Sequence, residues 1–188
     1  MKGSKAILLI IIVLIAVFAI ALVSGYNSLV SLQIKVEEQQ ANIDTQLQRR
    51  IDLIPNLVNT VQSFANHETE VFNAVTQARE KLMAAGSMEE KASADEMLNS
   101  ALGRLIAVAE NYPELKSDTV YIGLMDELAG TENRIAYSRQ SYNEAVTAYN
   151  KAIRVFPTAL IARLFGFEKA SFFEAAQGAE TVPEVNLH

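Results

Sequence analysis

Residues 6–25 read AILLIIIVLIAVFAIALVSG, and no charged residue occurs from Ala6 to Ile34. A helix needs about 20 apolar residues to cross the hydrocarbon core of a bilayer, and this run supplies them. A cleaved signal peptide also opens on basic residues, here Lys2 and Lys5, and closes on small ones, here Ser24 and Gly25. Its apolar core, however, is about 7–15 residues long. The longer run favours an uncleaved anchor, and with no Cys in the chain a lipid-modified cysteine is excluded. Lys2 and Lys5 flank the short side, whereas Lys35 on the long side is offset by Glu37 and Glu38. The rule that Lys and Arg stay inside places the N-terminus in the cytoplasm and the larger part outside it.

Working outward, apolar residues recur at three-and-four spacing and nothing alternates as a strand would. Leu29, Leu32, Val36, Ile43, Leu47, Ile51, Ile54, Val58, Val61, Ala65, Phe72, Val75 and Leu82 form a stripe close to a heptad repeat. The spacing predicts one helix continuing from the span to Gly86, placed as a left-handed helix end, and kinked at Pro55. Two helices broken at Ile54–Pro55 are the alternative. Ser87-Met88-Glu89-Glu90 reads as a capping box opening a second helix, which stops before Pro113. A third begins near Ser117 or Asp118 and is closed by Pro157. At 1.5 Å per residue these helices would reach about 90, 37 and 55 Å, giving a helical rod on a membrane stem. Phe156–Phe167 is dense in apolar residues and holds one charge. It reads as a short helix closing the bundle, with an interfacial element or a self-association surface as alternatives.

The expected fold is all-α: a transmembrane helix continuing into a long antiparallel bundle of three long helices plus a short C-terminal apolar helix. Residues 1–5 form a basic N-terminus, 6–25 the span, 26–175 the bundle and 176–188 a disordered tail.

Composition excludes much chemistry. The 188 residues include no Cys and two His, His67 and His188, and the net charge is −6. Thiolate sites, iron–sulfur clusters, cysteine nucleophiles and multi-His metal centres are ruled out, and a basic nucleic-acid face is disfavoured. Neighbouring acids such as Glu68 with Glu70, or Asp126 with Glu127, do not face each other on a helix. There is no phosphate loop and no nucleophile elbow. We therefore expect no catalytic residue, cofactor, metal or small-molecule substrate.

Several segments carry a family resemblance: Tyr26-Asn27-Ser28-Leu29-Val30, the run Ile43 to Val58, His67-Glu68, Glu110 to Lys116, Thr131 to Ile135, Tyr142-Asn143, Tyr149-Asn150, Phe156-Pro157 and Gly166-Phe167. In this order they resemble the LemA family of bacterial membrane proteins, from the span to about Phe173. The resemblance implies one transmembrane helix in the bacterial inner membrane and a mostly helical domain, and it brings no catalytic residue with it. It also implies a link to membrane organisation and to the neighbourhood of a membrane metalloprotease.

Polar residues on the stripes are the remaining signal. Gln40, Arg50, Glu68 and Arg79 fall on the first, and Thr131, Glu132 and Arg139 near the third. Such groups fix register and partner number when paired. Arg49-Arg50 can pair with Glu132 or with acids of a neighbouring chain, or face solvent. Tyr142 and Tyr149, a heptad apart, read as core packing, with an asparagine ladder at Asn143 and Asn150 as the sharper alternative. The second helix looks too short to cover Leu29 to Ile51, leaving an apolar face rimmed by Gln46, Arg49 and Arg50. That face predicts self-association through Leu47, Arg49, Arg50 and Ile51, with Leu160, Phe165 and Phe167 of the tail. The expected role is a self-associating scaffold that organises or shapes the membrane, its partners being copies of itself and the lipid bilayer. The alternative is an adaptor for another membrane protein, such as a protease or a signalling component.

Overall fold

The computed structural model of the chain describes residues 2–65 and 67–174; the tail expected over 176–188 lies outside them. Among the described residues there are six helices and no strand: α1 (Lys2–Phe64), α2 (Thr69–Ala84), α3 (Met88–Glu110), α4 (Pro113–Lys116), α5 (Thr119–Ala152) and α6 (Thr158–Phe165). The fold is all-α, as the spacing predicts. α1 is long and apolar enough to cross a membrane, and its most apolar stretch is wholly uncovered by the rest of the chain.

Two local expectations are corrected. α1 runs through Pro55 without ending there, but it stops at Phe64, not near Ala85. The turn contains neither Gly nor Pro, and Glu68 at its cap position makes no side-chain hydrogen bond. Backbone groups serve instead: Glu68 N–H donates to Ala65 O at 3.4 Å across the turn, and Val71 and Phe72 donate their N–H groups to Glu68 O at 3.1 and 3.2 Å to open α2. The apolar stripe keeps its phase across the turn because Ala65 and Phe72, a heptad apart, are both buried. Gly86 is not a left-handed cap; Gly166 alone has positive φ among the described residues. The N–H of Gly86 donates to Glu90 Oε2 at 2.8 Å, so the following helix organises this connection. The capping box forms as expected, with Ser87 N–H donating to Glu90 Oε2 at 3.0 Å and Glu90 N–H to Ser87 Oγ at 3.2 Å. Its hydrogen bonds, from the Ser87 N–H first and then the Gly86 N–H, hold the Glu90 carboxyl below its ordinary 4.5. Asp118 caps α5 through the N–H groups of Val120 and Tyr121, both at 2.9 Å.

The chain divides into two compact units. One comprises residues 1–39 with 143–170. Its core joins Leu29 of α1 to Ile161 and Ala162 of α6, with Leu22, Ala152, Ile153 and Phe167 packed around them. Gly25 makes this approach possible, since a methyl group there would overlap Ile161 Cδ1. Gly166, at φ 73°, ends α6. Its left-handed turn lets Phe167 N–H reach back to Ala162 O at 2.9 Å, and delivers the Phe167 ring to Tyr26 at 5.7 Å. The chain beyond is held by Asn150, whose side-chain amide donates to Ala170 O and accepts from Ala170 N–H, both at 2.9 Å. Asn150 thus secures the non-helical segment after α6 and is no part of a helix–helix ladder.

The other unit comprises residues 40–142 with 171–188. Ile43, Leu47, Ile51, Ile54, Leu57 and Val61 of α1 are buried with Phe72, Val75 and Leu82 of α2, Leu98 and Leu105 of α3, and Leu128 and Ile135 of α5. Tyr142 is buried and donates its hydroxyl to Ser171 O at 2.8 Å, and Arg139 lies 4.6 Å above the Phe173 ring. The apolar face expected to be open at Leu47 and Ile51 is closed. The turn at 65–68 folds α2 back along α1, where Arg79 meets Ile51, so two helices stand where the apolar spacing predicts one.

Candidate functional site: a buried ion centre and the packed end of the span

Arg50, on the inner face of α1, is 5% exposed. Its Nη1 donates to Asp95 Oδ1 of α3 at 2.7 Å and lies 2.8 Å from Glu132 Oε2 of α5. Its Nη2 donates to Asn99 Oδ1. Three helices therefore meet on one guanidinium, whose planar fork suits several acceptors at once. Outside this centre Arg49 pairs with Glu127 at 2.6 Å and Lys91 with Asp44 at 2.6 Å. Both of these pairs are partly solvated and contribute less.

Asp95 is 1% exposed. Burial raises its carboxyl above the ordinary 3.8, Arg50 draws it back and Glu132 adds to the rise. The group thus takes up a proton more readily in the folded chain. Its contribution to stability is complete below pH 3.8 and is lost as the pH rises through the raised folded value. A sealed carboxylate locked to a guanidinium reaches no substrate, so the centre serves to fix the packing of α1, α3 and α5.

A second polar device lies at Pro55. In an α-helix the carbonyl of Ile51 would accept from the N–H of residue 55, which proline lacks. Arg79 Nε of α2 donates to that carbonyl at 3.1 Å, so the side chain supplies the missing donor.

In the other unit, the Tyr26 ring lies 4.9 Å from that of Phe165. Tyr26 and Phe165 line a cleft of about 510 Å³ together with Glu37, Tyr149, Phe167 and Glu168. Burial first, and then Glu168, raises the Tyr149 hydroxyl above its ordinary 10.0. Among the described residues no group of three or more His, Cys, Asp or Glu gathers as a metal site, and His67 is exposed.

Of the residues expected at a self-association surface, Leu47, Arg50 and Ile51 lie inside their own unit, whereas Arg49, Leu160 and Phe165 are exposed and Phe167 is half-buried. Pairing of Arg50 with Glu132 was among the expectations; Asp95, Asn99 and Arg79 as its neighbouring fixtures were not. A signal for Asp95 existed. Met88, Ala92, Asp95, Leu98, Leu102 and Leu105 follow helical spacing and all are buried, so an acid lies on the apolar phase of α3.

The model of the LemA family matches residues 39–187. The chain belongs to the LemA family. Magnetosome protein MamQ 2 of Paramagnetospirillum magneticum is 29% identical over 202 aligned residues, covering 94% of this chain and 74% of that protein. MamQ of Magnetospirillum gryphiswaldense is 28% identical, covering 96% and 76%. Protein LemA of Metamycoplasma hominis is 25% identical, covering 90% and 78%. With its apolar N-terminal helix, this LemA-family chain is a membrane-associated helical protein. Segments that carry the resemblance have structural work: Tyr26, Leu29, Gly166 and Phe167 build the junction of α1 with α6, Arg50 and Glu132 the ion centre, and Asn150 the hold on the non-helical segment after α6.

Proposed function

We propose that this LemA-family protein is a scaffold of the bacterial inner membrane that associates with copies of itself and so organises or shapes the bilayer, acting by assembly and not by catalysis. The observation that carries the reading is α1. One uninterrupted helix both supplies the membrane-crossing segment and forms a wall of the bundle. Copies anchored by such a helix are concentrated in one plane and share an orientation, so association loses little further entropy. The names of the relatives, magnetosome proteins, favour a membrane role. Because Leu47 and Ile51 are internal, the contact between copies falls to the uncovered span. There Ala19, Ile20, Val23, Ser24 and Asn27 line a shallow depression, and small residues allow helices to approach closely in lipid. The N-terminus lies in the cytoplasm, so protease added to intact spheroplasts digests the bundle.

The test is the size of full-length protein extracted in mild detergent, with imaging of the particles. A regular homo-oligomer that Ala19→Phe reduces to smaller species supports the reading. A monomer at every concentration overturns it, and a monomer carrying a second membrane protein replaces it with the adaptor role.

A further inference from the structure

α6 is apolar on more than one side. Ile161 and Ala162 are buried against Leu29, yet Leu160, Leu164 and Phe165 are 60, 72 and 56% exposed, and Phe156 just before the helix is 82% exposed. A helix apolar all round is normally covered all round, and here the protein covers one side. Two observations identify what covers the other. The first is position. α6 packs on α1 at Leu22, Gly25 and Leu29, at the end of the uncovered run 9–21, so its exposed face continues the apolar surface of the span. The second is charge. Residues 151–170 carry Lys151, Arg154, Arg163 and Lys169, all exposed, against Glu168 alone, in a chain whose net charge is −6. A basic, apolar element at the end of a span matches an anionic lipid surface.

We propose that α6 is an interfacial foot. Its outer face, Leu160, Leu164 and Phe165, together with Phe156 just before the helix, enters the headgroup layer of the bilayer that α1 crosses, and Arg154 and Arg163 meet anionic headgroups. The foot and the span then grip one leaflet from two directions, joined at the Gly25 notch. The inference rests on the membrane-crossing reading of α1 and not on self-association.

The chain contains no Trp, so Leu164→Trp provides a single tryptophan, excited selectively over the tyrosines near the red edge, in the full-length protein. The variant is reconstituted in vesicles of phosphatidylcholine with phosphatidylglycerol, and helicity is checked by circular dichroism; Phe156→Trp, at the most exposed of these positions, is the second probe. The expected result is blue-shifted emission, weak quenching by iodide relative to free N-acetyltryptophanamide, and stronger quenching by lipids brominated near the headgroup than near the chain end. Adding Arg163→Glu shifts the ratio of inserted to free foot about fivefold or more toward free in these vesicles. Emission and iodide quenching equal to those of free tryptophanamide overturn the proposal. So does a probe shielded from iodide and brominated lipid alike, since a second copy or another protein then occupies the face. If Arg163→Glu changes nothing, the assignment of that residue to headgroups is wrong.

Discussion

Replacing Arg79 by Met keeps the aliphatic stem and removes the donor that reaches Ile51 O. That carbonyl belongs to a buried residue of α1 and lies four residues before Pro55, which has no N–H to offer. An unsatisfied buried acceptor costs about 1–3 kcal/mol. For a chain of this size each kcal/mol lowers the melting temperature by about 2–4 °C. Pro55→Ala restores a backbone N–H at the position where the helix would supply one, and alanine is the better helix former by about 3 kcal/mol. If Arg79 acts as the substitute donor, its removal matters only while proline is present. Arg79→Met should therefore cost about 1–3 kcal/mol in the natural background and little in the Pro55→Ala background, a coupling of about 1 kcal/mol or more. Thermal melting of the four proteins in one detergent, followed by far-ultraviolet circular dichroism, measures it. Equal losses in both backgrounds would refute the reasoning and reduce Arg79 to a packing residue.

The hydrogen-bonded Glu90 carboxyl, held below 4.5, contributes stability that is present above pH 4.5 and lost as the pH falls through its lower folded value. Glu90→Ala should lower the melting temperature at neutral pH, with the difference from the natural chain vanishing in strong acid. Gly25→Leu should collide with Ile161 and loosen α6, read as faster amide exchange over residues 158–165; unchanged exchange would mean that α6 is held elsewhere. Asn150→Leu leaves both backbone groups of Ala170 without their partner, so it should destabilise by about 1–3 kcal/mol and speed exchange at the Ala170 amide.

Most helices were legible because apolar spacing and capping chemistry are local. Ser87 with Glu90 and Asp118 at α5 are read from a few neighbouring residues, and both caps form. The turn at 65–68 was illegible because its sequence holds neither glycine nor proline and Glu68 at the cap makes no side-chain hydrogen bond, while the stripe around it keeps a heptad phase. That omission propagated: without the turn α2 has no reason to fold back, and Leu47 and Ile51 look uncovered. Arg50 was legible as a polar residue on an apolar stripe. Its principal partner, Asp95, was not singled out, although it shares the phase of Leu98 and Leu102. Arg79 was visible on its stripe, but its role follows from three-dimensional proximity to the carbonyl that Pro55 leaves open. Gly25 acquires meaning only from Ile161, which lies far along the chain.

A heptad stripe has a weakness that the ion centre answers. Helices joined only by aliphatic residues at regular spacing can slide by a repeat with little change in what they bury. Arg50 lies one heptad from Ile43 and one from Leu57, both buried. Sliding α3 by one repeat would set Asp95 against an aliphatic side chain and leave a buried charge unpaired, which costs about 3–5 kcal/mol. The correct register avoids this, and Glu132 fixes α5 through the same guanidinium. Two outcomes separate register from stability. Arg50→Met alone should lose about 3–5 kcal/mol, because Asp95 stays buried without its cation. Arg50→Met with Asp95→Leu should recover most of that loss, because well-packed apolar replacements of a buried pair are often neutral. The double variant should nevertheless lose its single packing, seen as broadened or doubled methyl resonances from Leu98 and Ile135 in full-length protein in detergent micelles. A double variant with one sharp set of signals would show that the apolar stripes fix the register unaided, and Arg50 would then be a tolerated buried charge without a role in specifying the fold.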